Sequence, residues 1–421
     1  MLQISISLVF NLGVILLLGF IAGLLLNKIK IPGLCGMILI GILIGPILNE
    51  MGVEFFQISD SLSSSLRQIA LVIVLTRSGL NLDIKTLKRV GRPAILMCFV
   101  PATIEIITVG VLSYLLLDLT IFEGFLLGSV LAAVSPAVVS PRMIKISDSG
   151  YGINKGAPKL VLAGSSCDDV YVIVVFYAFL GIVEKGSMDA LSIGLVPVNI
   201  ILGIVVGILM GFLLGFIIRK IPKTVEAVIV MLAVSFTLIG LEELCKAYTK
   251  IDPQALLSIL VMAIVVLYKA PDKALDLSNG YNMMWRVFEI LLFVLVGASI
   301  SFDTITLSNL LYGILILIIG LIMRSAGVYL CLIATDLNWR ERLFAVISYL
   351  PKATVQASIG GIALSMGLSC GGVVLSIAVL SILITAPLGA ILIDNLYKRL
   401  LTYDLDKNIV EEKEVFEDKT I

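Results

Sequence analysis

The sequence contains no histidine, and charged residues make up only 14% of its 421 residues. Without histidine the chain has no imidazole proton relay, imidazole metal site or histidine pH switch, so carboxylates and lysines must carry any response to pH. The six cysteines lie scattered, mainly within apolar runs, with neither CxxC nor metal-ligand spacing. We interpret them as small packing residues of helices. No cleavable signal peptide is evident, and the first apolar stretch is interpreted as a true membrane span.

Long apolar runs dominate the rest of the chain. Hydrophobic residues form 59% of the sequence, and the mean hydropathy is +1.11. A soluble globular chain does not need that much apolar content, so the composition predicts a polytopic membrane protein. The runs are too long for the strands of a β-barrel and have the length of α-helices. About thirteen of them can span a bilayer or nearly so: 5–26, 33–49, 66–82, 93–117, 121–144, 157–183, 191–219, 224–245, 253–269, 286–301, 307–334, 342–367 and 371–397.

Basic residues are concentrated in every second loop between these stretches. Lysines and arginines follow the odd-numbered stretches, whereas the loops after the second, fourth, sixth and tenth are acidic or nearly neutral. The positive-inside rule therefore places the N-terminus outside and the C-terminus in the cytoplasm. We interpret residues 400–421 as a solvated, acidic cytoplasmic tail. The absence of a long soluble domain suits a bacterial inner membrane.

Two adjacent aspartates, Asp168 and Asp169, interrupt the apolar run KLVLAGSSCDDVYVIVVFYAFLGIV. An ionised carboxylate at the bilayer centre costs at least ~2.5–3.5 kcal/mol, so two side by side need a partner, a proton or a cation. Neighbouring residues of a helix point about 100° apart, so the two carboxylates need not do the same job. In a medium of low dielectric constant they also oppose each other's ionisation. One of them can then take either a proton or a desolvated monovalent cation, and this competition is the minimum that exchange requires.

The two halves of the chain are similar in the order of their charges and prolines. A stretch with one central charge, Glu105 or Arg324, precedes a stretch with a proline in a polar cluster, Pro136 or Pro351. Matched elements lie about seven spans apart, and an odd number of spans reverses orientation, so the halves form an inverted-topology repeat. The predicted divisions are a transmembrane unit over 1–399, a first repeat over 5–183, a linker helix over 191–219 and a second repeat over 224–397.

Pro136 and Pro351 lie inside stretches that would otherwise form continuous helices. A proline within a helix removes one backbone hydrogen bond and clashes with the carbonyl four residues earlier. In a membrane the freed groups must be satisfied by the protein or by water in a cavity. The paired positions favour two unwound segments that expose carbonyls and half-helix ends to an ion path. Lys352, directly after Pro351, can neutralise the negative half-helix ends where the broken helices meet.

Hydroxyl groups and two central charges accompany the aspartates. A hard cation prefers oxygen ligands, and Ser165, Ser166 and the unwound backbone near Ser135 can supply them. Glu105 and Arg324 lie on corresponding stretches, which a twofold axis in the membrane plane would bring together. We predict an ion pair between them, since pairing lowers the free energy of burying both charges. Arginine does not lose its proton at any relevant pH, so Arg324 can hold a carboxylate but cannot carry a proton across.

Three segments carry a family resemblance: LGSVLAAVSPAVVSPRM, GYGINKGAPKLVLAGSSCDDV and YLPKATVQASIGG. In this order they resemble the cation:proton antiporter superfamily. The paired aspartates are similar to those of its NHA-type sodium/proton exchanger branch. The similarity covers residues 30–395, which is nearly all of the chain.

The resemblance implies an all-α polytopic membrane protein of the sodium/proton antiporter fold. Such a fold would have about 13 transmembrane helices, an inverted-topology repeat and two crossed, unwound helices around Pro136 and Pro351. It also implies a core formed by residues 93–183 and 307–397, with the remaining spans forming a dimerisation scaffold. The core would move against this scaffold in an elevator-like, alternating-access motion.

The resemblance also assigns roles to individual residues. Asp169 would be the main cation and proton site, with Asp168 beside it as the second ligand of Na⁺ or Li⁺. Many electrogenic relatives have a lysine where Arg324 stands, whereas the NHA-type branch pairs an arginine with a glutamate like Glu105. Lys352 matches the lysine of the family's second half.

Together these patterns predict an antiporter that exchanges Na⁺ or Li⁺ for H⁺, and the fixed charge of Arg324 favours one cation per proton. A K⁺/H⁺ antiporter, a sodium-coupled solute symporter of similar fold, and a non-transporting membrane scaffold or sensor remain as alternatives. We expect no enzymatic activity, no cofactor besides the transported ions, and no nucleic-acid partner. The expected partners are membrane lipid, the transported ions and a second copy of the chain in a homodimer.

Overall fold

The chain is almost entirely helical over the residues that the structure describes. This computed structural model describes residues 8–51, 60–82, 90–184, 190–249, 253–301 and 306–404. Most of the predicted tail, residues 405–421, lies outside the described residues. A π-helical segment, Leu43–Ile47, contains Pro46 and joins the second helix to the third.

The α-helices are, in chain order, α1 (Leu8–Lys28), α2 (Gly33–Ile42), α3 (Leu48–Glu50), α4 (Asp60–Leu80), α5 (Arg92–Met97), α6 (Val100–Leu116), α7 (Ile121–Leu131), α8 (Pro136–Asp148), α9 (Ala157–Glu184), α10 (Ala190–Lys220), α11 (Thr224–Tyr248), α12 (Ala255–Lys269), α13 (Pro271–Ala298), α14 (Leu307–Cys331), α15 (Trp339–Ser348), α16 (Thr354–Gly360), α17 (Ile362–Ser365) and α18 (Gly371–Leu400). Each predicted apolar stretch coincides with one helix or with a consecutive set of shorter ones.

The described helices fit a protein that is embedded in a membrane. Within the described residues, nine helical segments are long and apolar enough to cross a bilayer, and two shorter apolar helices, Gly33–Ile47 and Ala255–Lys269, accompany them. Neither α4 nor the broken segment α15–α17 is among the nine. The number of about thirteen spans therefore stays a prediction.

One helix is much longer than its apolar part indicates. The tenth predicted stretch, 286–301, is the second half of α13, which begins at Pro271 and continues without a break to Ala298. Pro271 occupies the first turn, where a missing N–H is tolerated. The first half of α13 carries the charged residues Asp272 and Lys273, so hydropathy alone begins the stretch too late.

The helices pack in two groups. The closest packing within the first group joins α10 to α12 and α13 to both α2 and α4, while in the second α6 packs on α7 and α14. Helices α2 and α13 approach each other with backbone against backbone. A side chain at Gly41 would collide with the carbonyl oxygen of Val294, and one at Gly297 would collide with that of Ile38. Small residues permit this approach, as they do between many membrane helices.

Two capping boxes stabilise the first turns of α7 and α15. Thr120 and Glu123 form the box of α7, while Asn338 and Glu341 form that of α15. Each glutamate also contacts the residue two positions before another long helix. Glu123 accepts a hydrogen bond from the Ser369 hydroxyl at 3.0 Å, just before α18. Glu341 forms an ion pair of 3.1 Å with Lys155, just before α9. We call these two contacts the capping links.

Residues 401–404, predicted to be part of a solvated tail, are bound to the loop between α8 and α9. Leu401 is buried, and Tyr403 forms an antiparallel bridge with Tyr151. The Asp404 carboxylate accepts hydrogen bonds from the backbone and side-chain N–H groups of Asn154 at 3.0 and 2.9 Å. Hydropathy does not predict this docking. The segment is held by backbone hydrogen bonds, ring contacts and the Asp404 carboxylate rather than by an apolar run.

Candidate functional site

The two broken helices meet at their non-helical segments. Residues 132–135 separate α7 from α8, and residues 349–353 separate α15 from α16. Pro136 is the first residue of α8, and Pro351 lies within the second gap. The Ser135 N–H donates a hydrogen bond to the Pro351 carbonyl at 2.8 Å. The unwound segments predicted at both prolines are confirmed, and they are in direct contact.

The carbonyl groups at the end of α7 face three donors of the second half. The last carbonyls of a helix lack intrahelical partners and carry its negative end. Those of residues 131, 132 and 133 accept hydrogen bonds from Lys352, Arg324 and Gln356 respectively. The bond from Gln356 Nε2 measures 2.8 Å. Lys352 thus contacts the half-helix end as predicted, and its role in neutralising that end stays a prediction.

Four fully buried charges form one network beside this crossing. Arg324 bridges two acids, with Nη1 3.0 Å from Glu105 Oε2 and Nη2 2.8 Å from Asp168 Oδ2. The Lys352 ammonium forms a second ion pair with Glu105, at 2.7 Å from Oε1. Asp168 Oδ2 also accepts the Val134 N–H at 2.8 Å. The predicted Glu105–Arg324 pair is confirmed, and the network contains two acids and two bases.

Asp169 lies next to this network without joining it. Its side chain is 3% exposed, and Oδ1 is buried without a hydrogen-bond partner. Within the described part of the chain, no ion pair reaches it. Asp169 lines a cavity of about 10 Å³, which is close to the volume that one water molecule needs. The polar residues that share this cavity are Ser78, Thr354 and Ser358, and the apolar ones are Leu71, Val74, Leu75, Ile173, Val355 and Ile359.

A larger polar cavity, which we call the vestibule, lies beside the cavity of Asp169. It has a volume of about 220 Å³ and shares Leu71 and Ser358 with the smaller cavity. It opens near the first turn of α4 and the last turns of α9 and α11. Its charged lining residues are Arg67, Glu184, Glu242, Glu243 and Lys246. Leu71 and Ser358 therefore lie between the vestibule and the cavity of Asp169.

The serines selected from the sequence lie elsewhere. The hydroxyls of Ser165 and Ser166 both donate to the Leu162 carbonyl, at 3.1 and 2.8 Å. The Ser135 hydroxyl is buried without a hydrogen-bond partner. None of the three serines lines the cavity of Asp169.

The hydroxyls that do line the cavity of Asp169 come from two other helices. Thr354 and Ser358 belong to α16, and Ser78 belongs to α4. The sequence could have indicated Thr354 and Ser358, since they lie one helical turn apart directly after the break at Pro351. Ser78 had no such signal, because its closeness to Asp169 arises only from the packing of α4 on α16.

The fold and the site together define a class of protein. Crossed discontinuous helices with buried charges near the middle of the bilayer are the ion-binding arrangement of secondary transporters. The transmembrane sodium/hydrogen exchanger family matches residues 13–398, and the chain belongs to this family.

Relatives with similar sequences cover most of the chain. Human sodium/hydrogen exchanger 9B2 is 35% identical over 411 residues, which is 93% of this chain and 75% of that protein. The mouse 9B2 protein is 34% identical over 381 residues, which is 88% of this chain and 69% of the mouse protein. Human sodium/hydrogen exchanger 9B1 is 31% identical over 421 residues, covering 96% and 80% respectively.

A solved structure has the same fold. The sodium proton antiporter MjNhaP1 from Methanocaldococcus jannaschii superposes with a TM-score of 0.75 and 21% sequence identity. The alignment covers 93% of this chain and 98% of that one. The sodium/proton antiporter fold inferred from the sequence is thereby confirmed.

Proposed function

We propose that the protein is a monovalent cation/proton antiporter that exchanges Na⁺ or Li⁺ for H⁺ at Asp169. The observation that carries this proposal is the unequal environment of the two aspartates. Asp168 is held by Arg324 and by a backbone N–H, whereas Asp169 faces a small cavity with no ion-pair partner in the described part of the chain. The names of the sodium/hydrogen exchangers to which the chain is related support the same reaction.

The charge count of the site explains why the two substrates compete. Glu105 and Asp168 contribute two negative charges, and Arg324 and Lys352 contribute two positive ones. The network is therefore neutral, and an ionised Asp169 leaves one uncompensated charge. A buried carboxylate without a partner is costly, so Asp169 is occupied either by a proton or by one monovalent cation. Release of one allows the other to bind.

Alternating access supplies the transport step. Residues 93–183 and 307–397 form the moving core, and the remaining helices form the scaffold and dimerisation surface. The packing of α6 on α7 and α14 supports this division, as do the capping links that join the two repeats. Asp169 loses its proton when the core faces the cytoplasm, captures a cation and is carried to the other face. There a proton displaces the ion through the vestibule.

The orientation follows from the charges of the loops. The N-terminus lies outside and the C-terminus lies in the cytoplasm, because basic residues follow the odd-numbered spans. The vestibule then opens to the outside. We assign the chain to a bacterial inner membrane as a homodimer surrounded by lipid. It needs no cofactor besides the transported ions, and we assign it no enzymatic reaction and no nucleic-acid partner.

Replacement of Asp169 tests the proposal. In proteoliposomes with an imposed pH gradient, added Na⁺ or Li⁺ should dissipate the gradient with the unmodified protein. We expect Asp169→Ala to abolish this response, because neither ion retains a binding carboxylate. The measurement is the fluorescence of a pH-sensitive dye that reports the gradient.

Asp148→Ala is the matched control, since Asp148 is an exposed carboxylate at the end of α8. This variant should exchange ions like the unmodified protein. Undiminished Na⁺-driven proton movement in Asp169→Ala would refute the assignment. Uptake of an organic solute with Na⁺, without proton movement, would instead favour the symporter alternative.

A further inference from the structure

The oxygen ligands of the transported cation have to come from groups that are not already engaged. The carbonyls of residues 131–133 accept hydrogen bonds from charged or amide side chains. Asp168 is paired with Arg324 through Oδ2 and does not line the cavity of Asp169. Neither Ser165 nor Ser166 lines the cavity of Asp169. The groups nearest to Asp169 in sequence therefore do not complete its coordination.

Two hydroxyl-bearing residues line the same cavity as Asp169, whose Oδ1 is buried with no hydrogen-bond partner among the described residues. Thr354 and Ser358 stand one turn apart on α16, so their side chains lie on one face of that helix. Thr354 is 4% exposed and Ser358 is 7% exposed, so a ligand between them is shielded from bulk water. The Ser358 hydroxyl donates its proton to the Thr354 carbonyl at 2.7 Å. Its lone pairs are thereby left for a cation, since a hydroxyl has one proton and two lone pairs.

We propose that the hydroxyl oxygens of Thr354 and Ser358, with the carboxylate of Asp169, form the binding site of the transported Na⁺ or Li⁺. Ser78 on α4 also lines the cavity and offers a third hydroxyl. Hard cations take such oxygen ligands, and the volume of about 10 Å³ admits one ion without its hydration shell. This inference rests on the proposed antiport and names the groups that determine its affinity and ion preference.

The site combines ligands from both halves of the chain. Asp169 comes from the first repeat and the two hydroxyls come from the broken helix of the second. A proton needs only the carboxylate, whereas the cation needs the hydroxyls as well. Loss of a hydroxyl should therefore weaken cation binding and leave proton binding at Asp169 intact.

The test compares Thr354→Val with Thr354→Ser in the reconstituted full-length protein. Valine keeps the shape of threonine and removes the oxygen, whereas serine keeps the oxygen. We expect Thr354→Val to raise the Na⁺ concentration for half-maximal exchange about tenfold, with a smaller effect on the maximal rate. The ratio of Li⁺ to Na⁺ affinity should also change. Thr354→Ser should stay within about twofold of the unmodified protein, a difference of about 0.4 kcal/mol.

Ser358→Ala is an independent arm and should shift the half-maximal Na⁺ concentration in the same direction. Ser376→Ala is its control, because the Ser376 hydroxyl on α18 donates to the Gly372 carbonyl and does not line the cavity. Stabilisation of the purified protein against heating by Na⁺, relative to choline, measures binding without transport and should shrink in both ligand variants.

Unchanged Na⁺ dependence and unchanged stabilisation in Thr354→Val and Ser358→Ala would overturn the ligand assignment. The antiport itself would then still stand, provided that exchange in these variants continues to require Asp169. If Asp169→Ala also exchanged normally, the proposed function would be the part that is wrong. The two failures are thus distinguishable.

Discussion

Arg324 makes more contacts than any other buried charge of the site. Its guanidinium bonds Glu105, Asp168 and the carbonyl of Ala132, and its Nε donates to the Tyr349 carbonyl at 3.2 Å. Two repeats and both helix breaks are therefore joined through one planar group. Arginine has five N–H donors in a fixed fork, whereas lysine has one compact ammonium group. A lysine at this position cannot reach the same acceptors together.

We predict that Arg324→Lys lowers the free energy of unfolding by ~2–4 kcal/mol, since at least one buried charged partner loses its hydrogen bond. The measurement is the midpoint of thermal unfolding of the purified protein in detergent. Arg399→Lys, at the exposed end of α18, is the control and should leave the midpoint unchanged. Equal midpoints for both variants would show that the bridging geometry contributes little.

The identity of the site residues was predictable from the sequence to different degrees. Asp168, Asp169 and Arg324 were predictable because a charge in an apolar run is costly and must have a reason. The partner of each carboxylate was not predictable. Residues 168 and 169 are neighbours on one helix, and only the packing of the helices decides which of them contacts the Arg324 guanidinium. Hydroxyls such as Ser78 could not be selected at all, because serine is common in membrane helices and its position carries no comparable cost.

At the scale of helices, the capping links hold the two repeats together at opposite ends of the core. Glu123 and Glu341 occupy the same position, the third residue of a helix that ends in a break. Each reaches the segment just before the long helix that follows the other broken helix, through Ser369 before α18 in one case and Lys155 before α9 in the other. One link is a hydrogen bond from a neutral hydroxyl to a carboxylate, and the other is an ion pair. The two links therefore occupy equivalent positions in the two halves of the chain, but they differ in the type of interaction.

We predict that Glu341→Ala destabilises the protein by ~1–2 kcal/mol, because it removes both a capping box and a buried acceptor. Glu226→Ala is the matched control, since Glu226 forms an exposed i,i+3 pair with Lys223 at 3.4 Å. Such surface pairs contribute ~0–1 kcal/mol. Thermal unfolding midpoints of the two variants provide the comparison. If the control is destabilised as much as Glu341→Ala, the capping link has no special role.

The helices themselves were largely predictable, and their ends were less so. Apolar length located each span, and Pro136 and Pro351 located the two breaks. Hydropathy did not reveal the first half of α13, because charged residues interrupt its apolar pattern from Pro271 onwards. It also did not reveal the docking of residues 401–404, which depends on backbone bonds to a distant loop. In both cases the missing information is tertiary, because the local sequence is polar and the partner lies far along the chain.

For the whole molecule, the neutral network limits the charge that one transport cycle moves. Arg324 keeps its proton, and Lys352 lies between Glu105 and the end of α7. If both bases keep their charge, only Asp169 changes occupant during the cycle. It carries one cation in one direction and one proton in the other. The core then carries the same net charge across the membrane in both directions of the cycle.

We therefore predict that the exchange rate does not depend on membrane potential. One uncompensated charge would be affected by ~2.3 kcal/mol per 100 mV, which is a large effect on a rate. The measurement uses proteoliposomes whose potential is clamped with potassium and valinomycin, and Asp169→Ala defines the leak. A rate that rises or falls several-fold between clamped potentials would contradict one-for-one exchange.

The four-charge network has a consequence for how such a protein can change over generations. Replacing one member by a neutral residue leaves a buried charge without its counter-charge, at ~3–5 kcal/mol. Typical proteins have only ~5–15 kcal/mol of stability in total, so most single replacements here are removed by selection. We therefore expect substitutions in this network to occur in pairs, with an acid and a base replaced together.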